Sequence, residues 1–224
     1  MRRLPSPAVA WASTALATLD GKMSRDLIDT IVSVYQIKAT LIGVRPPIWR
    51  RLRVPSDTTL HRLHRMLQIV MGWWDYHLYR FDIGSAHYGI LDPEWDVEIG
   101  IEVRNARIVR LGHVMPHQRT VFRYTYDFGD SWQMRLVVER ILPPQEGKRY
   151  PVCLGGDRAG PREDSGGVPG HAHVVKVLRD STHPEHKEMR TWVGPDYDPE
   201  LFDLARANAK LVRFRASSAG GIRN

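Results

Sequence analysis

The sequence predicts an α+β protein, a single roll-like domain with a mainly antiparallel sheet packed against helices, and three observations carry that expectation. Residues 121–139, VFRYTYDFGDSWQMRLVVE, hold two alternating runs around a tight acidic turn. Phe122, Tyr124 and Tyr126 alternate with Val121, Arg123 and Thr125, and Trp132, Met134, Leu136 and Val138 resume the period, as two half-buried strands do. Tyr35, Ile37, Ala39 and Leu41 alternate with Gln36, Lys38 and Thr40 in the same way. Leu60, Leu63, Leu67, Val70 and Met71 instead recur every three or four residues, the spacing of one helix face.

Taken in order, residues 1–32 are expected to form a poorly ordered leader, and residues 33–211 the folded domain. Arg2 and Arg3 followed by Ala8–Ala17 faintly resemble a secretion signal, but Pro5, Pro7, Ser13 and Thr14 interrupt it, and Met23 offers an alternative start. The first strand begins near Ser33. Pro46-Pro47 breaks the chain, and Ile48–Val54 resumes as the partner strand. The helix spans 57–71, with Asp57 or Thr58 to cap its start and Gly72 to end it. His77–Ile83 and Trp95–Val103 read as further strands around a loop with Gly84, Gly89 and Pro93. In the hairpin, Phe128-Gly129-Asp130-Ser131 supplies the Gly for positive φ and the Asp for side-chain capping. Residues 143–170 are rich in Pro and Gly and show no regular period, which predicts a long ordered loop or a linker. Helices follow near 171–179 and 199–210, the second with Asp198 as N-cap, Pro199 at its first position and Glu200 in its first turn. Residues 212–224 read as a basic, flexible tail.

Composition narrows the function classes. The chain has 224 residues, 42% hydrophobic and 25% charged, which suits one soluble globular domain with a substantial core. A formal charge of +7 favours acidic partners, nucleic acid being the commonest, although an arginine excess also follows from GC-rich codons. Cys153 is the single cysteine, so no intrachain disulfide can form, and a cytoplasmic protein is expected. No run approaches the 18 or so apolar residues of a membrane span, so no membrane partner is expected.

Two constellations can carry chemistry. Asp127 and Asp130 sit at one end of a rigid hairpin beside Trp132, where paired carboxylates bind a cation, orient a base or cap the turn. Arg45, Arg50, Arg51, Arg53, Arg62 and Arg65 fall in one short stretch with Trp49 among them. Guanidinium groups bind phosphate bidentately and an exposed Trp stacks on a base, which makes this stretch the candidate nucleic-acid surface. Asp127-Phe128-Gly129 matches a kinase tripeptide, but no phosphate loop or catalytic loop accompanies it. His64 shares the apolar helix face with Leu60, Leu63 and Leu67, while His61 points elsewhere, so His64 is expected to be a hydrogen-bonded core histidine. Pro116 removes the helix that would align His113 with His117, and His171 and His173 would diverge on a helix. No histidine pair therefore makes a metal centre, and no cofactor motif is present.

The order TLIGVRPPIWRRLRVP, TLHRLHRMLQIVMGWWDYHLYRF, YDFGDSW and YPVCLGGDRAGPREDSGGVPGH resembles the Ri-plasmid ORF-three-like domain family, whose members include resolvase-associated passenger proteins of insertion elements. The resemblance runs from about Ser33 to Leu211. It implies an α+β roll-like fold and a link to plasmids and mobile DNA, in a family without a characterised activity. Many relatives carry a Cys-Pro-Pro-Glu-Asp-Cys-Gly-Gly run and a His two residues after the hairpin Trp. This chain has Gly160-Pro161-Arg162-Glu163-Asp164-Ser165-Gly166-Gly167 and Met134 at those places. One cysteine cannot build a structural zinc site, which needs four ligands.

The sequence thus favours a non-enzymatic accessory protein of mobile DNA, binding nucleic acid or protein. In that reading Trp49, His64, Gly72, Trp73, Asp127, Gly129, Asp130, Trp132, Gly166 and Gly167 hold the fold. The alternative is a divalent-metal-dependent hydrolase in which Asp127, Asp130, Glu163 and Asp164 bind the cation. A third reading is a purely structural interaction domain.

Overall fold

Alternating strands need one face covered and one face wet, and this chain satisfies both demands with one sheet. The structure, a computed structural model, describes residues 32–90 and 102–219. The expected leader, apart from Val32, and most of the expected Trp95–Val103 strand lie outside the described residues, as does the end of the tail. The described strands are β1 (Val34–Leu41), β2 (Trp49–Pro55), β3 (Tyr79–Ile83), β4 (Ala86–Gly89), β5 (Val103–Asn105), β6 (Val121–Tyr126), β7 (Trp132–Leu142) and β8 (Val152–Asp157). They form one sheet in the order β5-β4-β3-β6-β7-β1-β2-β8. Only β4 and β5 pair in parallel. The helices are α1 (Leu60–Met71), α2 (Leu111–Val114), α3 (Gly167–Arg179), α4 (His186–Val193) and α5 (Leu204–Ala219). The protein is an α+β domain.

The inward face of the sheet and the apolar face of α1 make one core. Ile37, Ala39 and Leu41, Leu52 and Val54, Tyr79 and Phe81, Phe122 and Tyr124, and Met134, Leu136 and Val138 are all buried in the cluster that holds Leu60, Leu63, Leu67 and Val70. Helix α1 starts one residue later than the expected caps: Thr59 is the N-cap, accepting the Arg62 N–H at 3.2 Å, while Thr58 is buried and Asp57 precedes the turn. Gly72 ends the helix with φ of 82°, in the left-handed region that an L side chain resists.

Several elements depart from the sequence expectations. The stretch 143–170 contains β8, which pairs antiparallel with β2, and its last residues begin α3. The sequence LGG within β8 offers few of the β-branched residues that mark a strand, so the neighbouring β2 template outweighs local propensity. β4 lies inside the span read as a loop, and α4 was not foreseen. The last helix begins at Leu204, not at Pro199. Asp198 Oδ1 accepts the Glu200 N–H at 2.9 Å in a turn, and Asp203 Oδ1 accepts the Arg206 N–H at 2.8 Å at the helix start. That helix runs through Val212 to Ala219, with Leu211 buried.

Candidate metal centre

The hairpin turn is built by Asp127. Its Oδ1 accepts the N–H groups of Gly129 at 3.0 Å and Asp130 at 3.3 Å, and its carbonyl accepts the Ser131 N–H at 2.6 Å. The positive φ expected of Gly129 falls instead on Asp127 (56°) and Ser131 (54°), which bracket a five-residue loop between the paired Tyr126 and Trp132. Aspartate tolerates this conformation because its short carboxylate bonds its own backbone. The other carboxylate oxygen, Oδ2, takes no part in these turn hydrogen bonds.

Two further segments are pinned against this turn. The Asp127 N–H donates to the Leu78 carbonyl at 3.0 Å, which sets His77 beside the hairpin as β3 pairs with β6. Trp73, buried and stacked on Tyr126 at 4.9 Å, donates its indole N–H to the Pro161 carbonyl at 3.0 Å. The Trp74 N–H donates to Glu163 Oε1 at 2.6 Å, and Tyr126 Oη donates to the same carboxylate at 3.0 and 3.1 Å. Burial, and next the Glu163 charge, push the Tyr126 phenol pKa up, so it stays protonated as a donor. Gly166 N–H donates to Asp130 Oδ2 at 3.1 Å, and Gly167 passes so close that a Cβ there would lie 2.6 Å from the Asp130 carbonyl.

The outcome is a convergence on His77. Its Nε2 lies 3.2 Å from Asp164 Oδ1, 3.6 Å from Asp127 Oδ2 and 3.6 Å from Glu163 Oε2. That nitrogen is buried and makes no hydrogen bond within the geometry a hydrogen bond requires. Ligand atoms of His77, Asp127 and Asp164 all fall within 4.8 Å of one another. Around a cation with ligand distances of about 2.1 Å, neighbouring donors sit about 3.0 Å apart in an octahedron and about 3.4 Å apart in a tetrahedron. The 3.2 Å separation suits either such an edge or a hydrogen bond, and the two of 3.6 Å are too long for hydrogen bonds. Asp164, with a side chain 71% exposed, opens the centre to solvent.

Of the four acidic candidates, the structure thus gathers Asp127, Glu163 and Asp164 and sets Asp130 aside as a cap for Gly166. His77, which the sequence did not single out, completes the group. Its signal was the β3–β6 pairing, since Tyr79 opposite Tyr126 brings the residues before β3 to the turn.

The arginine stretch is not gathered into one surface. Alternation sends Arg50 inward, where it is 1% exposed, donates to the carbonyls of Val70, Trp49 and Asp157 at 2.7 to 2.9 Å, and stacks on Phe202. Burial pushes its pKa down to about 10. Arg62 lies over Phe214, and Arg65 pairs with Asp75 at 3.2 Å, both on α1. Arg45 is exposed in the β1–β2 turn. Arg51 forks onto Glu139 at 2.7 and 2.9 Å, and Arg53 reaches Gln36 at 3.3 Å. Trp49 is half-buried beneath Lys38 and Arg51. The outward face of the sheet instead assembles Lys38, Arg51 and Arg53 with Arg80, Arg123 and Arg135.

His64 is fully buried between Tyr124 Oη at 2.7 Å and Asp75 Oδ1 at 2.6 Å, with Gln68 Nε2 donating to the same tyrosine at 3.0 Å. Burial holds the imidazole pKa below its usual value despite Asp75, so neutral His64 donates to the Asp75 carboxylate and accepts from Tyr124.

Comparison with known proteins places the chain. The family model described as plasmid pRiA4b ORF-3-like protein matches residues 33–206. An uncharacterised protein, y4hQ, of Sinorhizobium fredii (strain NBRC 101917 / NGR234) is 36% identical over 179 residues, covering 80% of this chain and 90% of its own length. The crystal structure of a protein of unknown function, MM3350, from Methanosarcina mazei Go1 superposes with a TM-score of 0.69 at 37% identity, over 79% of this chain and 98% of that one. No helix among the described residues is long and apolar enough to cross a membrane. The chain belongs to the plasmid pRiA4b ORF-3-like protein family.

Proposed function

We propose that this chain is a divalent-cation protein whose centre, held by His77, Asp127 and Asp164 with Glu163 beside them, activates water for hydrolysis. The observation that carries the reading is the buried Nε2 of His77, without a well-formed hydrogen bond, set among three carboxylate oxygens. Without a cation, three carboxylates this close repel one another. One imidazole among carboxylates suits manganese or zinc better than an all-oxygen set would. Three protein ligands leave coordination positions for water, whose pKa a divalent cation lowers toward neutrality. Glu163, fixed by Tyr126 and Trp74 with Oε2 3.6 Å from His77 Nε2, would be the carboxylate beside a cation held there and the candidate base.

Titration of the metal-free protein with manganese tests this. At a free concentration about 100 times Kd, binding to the native state alone adds about 2.7 kcal/mol. For a domain of this size that is a rise of roughly 5–11 °C in melting temperature. The rise should vanish in His77→Ala and in Asp127→Asn. An unchanged melting temperature with manganese, zinc and magnesium rejects the cation, and binding without turnover of activated phosphodiesters or esters rejects the hydrolase.

A second reading, a nucleic-acid-binding accessory role, is favoured by a separate observation. Arg123 stands directly opposite Arg135 on the outward sheet face, whereas Arg51, opposite Lys38, is already paired with Glu139. Like charges facing across a ladder destabilise a sheet, and a polyanion would relieve them. Binding to DNA at low salt should fall steeply as salt rises and weaken in Arg123→Glu/Arg135→Glu. No detectable binding removes the reading.

A further inference from the structure

We propose that a second site, a cavity of about 310 Å³ between the β1–β2 turn and helix α3, binds a small phosphorylated ligand with an apolar body. Four cations line it: Arg45 from the turn, Arg158 after β8, and Lys176 and Arg179 from α3. Among the described residues no Asp or Glu lines it. Glu200 pairs with Arg158 and, at 2.6 Å, with Arg179, and one carboxylate against four cations leaves a positive excess. That excess matches a phosphate dianion better than a carboxylate, and guanidinium forks match its oxygens. The walls are apolar, with Ile48, Val168 and Val175 among them, so a bare anion would fill only part of the space. The volume lies at the lower end of what small-ligand pockets occupy.

The second observation is a pair of orphaned polar atoms. His171 lines the cavity, is 4% exposed, and keeps a buried Nδ1 with no hydrogen-bond partner. Arg158, also a lining residue, keeps a buried Nε in the same condition. Buried polar atoms in folded proteins are nearly always bonded, so these two leave the protein wall behind the cavity under-satisfied. Burial pushes the His171 pKa down to about 4, so at neutral pH its ring offers one donor and one acceptor. The cation rim and the apolar wall thus describe an amphiphilic ligand whose charged end faces the arginines. This site is independent of the His77 centre.

Calorimetry of the full chain with inorganic phosphate, adenosine and adenosine 5′-monophosphate at low salt tests the proposal. The monophosphate is expected to bind roughly tenfold or more tighter than either fragment, since each fragment engages only one half of the site. Arg45→Glu and Lys176→Glu, both at exposed positions, should each weaken it by roughly tenfold while leaving the melting temperature unchanged. Absence of saturable binding overturns the proposal. So does a monophosphate no tighter than phosphate, an affinity indifferent to both substitutions, or equal displacement by duplex DNA, which would make the cations part of a polyanion surface.

Discussion

Replacing Arg50 by alanine separates two roles that one guanidinium can have in a basic protein. If Arg50 binds phosphate, its loss weakens nucleic-acid binding and spares stability. If it holds the sheet to α1 and to the segment before α5, its loss does the reverse. The structure supports the second role: the side chain is 1% exposed, sits on Phe202 with its guanidinium carbon 3.9 Å from the ring centre, and donates to three backbone carbonyls. Three hydrogen bonds from a charged donor contribute about 1.5 kcal/mol each at the low end. A desolvated cation–π contact adds about 1–2 kcal/mol. Against this stands the cost of burying the charge. A guanidinium pKa pushed down by burial to about 10 corresponds to roughly 3 kcal/mol. The net loss for Arg50→Ala is therefore about 2–3 kcal/mol, well below what counting contacts would suggest.

Urea unfolding followed by tryptophan fluorescence measures it. With a slope of about 1–3 kcal/mol per molar, the midpoint should fall by roughly 1 M or more, with the slope unchanged. Arg50→Met keeps the stem on Phe202 and removes the buried charge, so it should lose less than Arg50→Ala. A midpoint within error of the wild type in Arg50→Ala, together with lost DNA affinity, would refute the structural role.

Other consequences follow from particular contacts. Leu67 is fully buried, and Leu67→Ala should cost about 2–5 kcal/mol in the same unfolding assay; an unchanged midpoint would remove α1 from the core. His171 has a folded pKa of about 4 against an unfolded value near 6.5, so between these pH values the unfolded chain binds the extra proton. Stability from this group is complete above about pH 6.5, falls as pH drops toward 4 and is flat below, a span on the order of 3 kcal/mol that His171→Phe should remove from the stability–pH curve. Equal slopes in the two proteins would contradict it. Asp130→Ala should cost about 1 kcal/mol by freeing the Gly166 N–H, yet leave manganese affinity nearly intact, whereas Asp127→Asn abolishes it; equal losses of affinity would place Asp130 in the centre.

What was legible in the sequence was whatever a period of two or of 3.6 encodes. Strands β1, β6 and β7 and helix α1 each carry their own burial pattern, and each lies close to its expected position. β8 was not legible because LGG has no pattern of its own; the partner strand β2 supplies the order. The arginine stretch misled for a related reason. Neighbours in sequence on a strand face opposite ways, so Arg50 and Arg51 part company even though charge counting treats them alike. The candidate centre lay between these cases. Asp127, Glu163 and Asp164 stood out as acidic residues in turns, but nothing local to His77 marks it. It joins them because separate parts of the chain close at once: β3 against β6, Trp73 onto Pro161, and Trp74 onto Glu163. Residues in such sites are specified by pairings distant in sequence, and a reading that first fixed the β3–β6 register would have carried His77 to the turn. The same reasoning gives the Gly166-Gly167 pair its role. Gly167 has no room for a Cβ beside the Asp130 carbonyl, so any larger residue there would push the Glu163-Asp164 loop away from the hairpin and open the centre without touching a single candidate ligand.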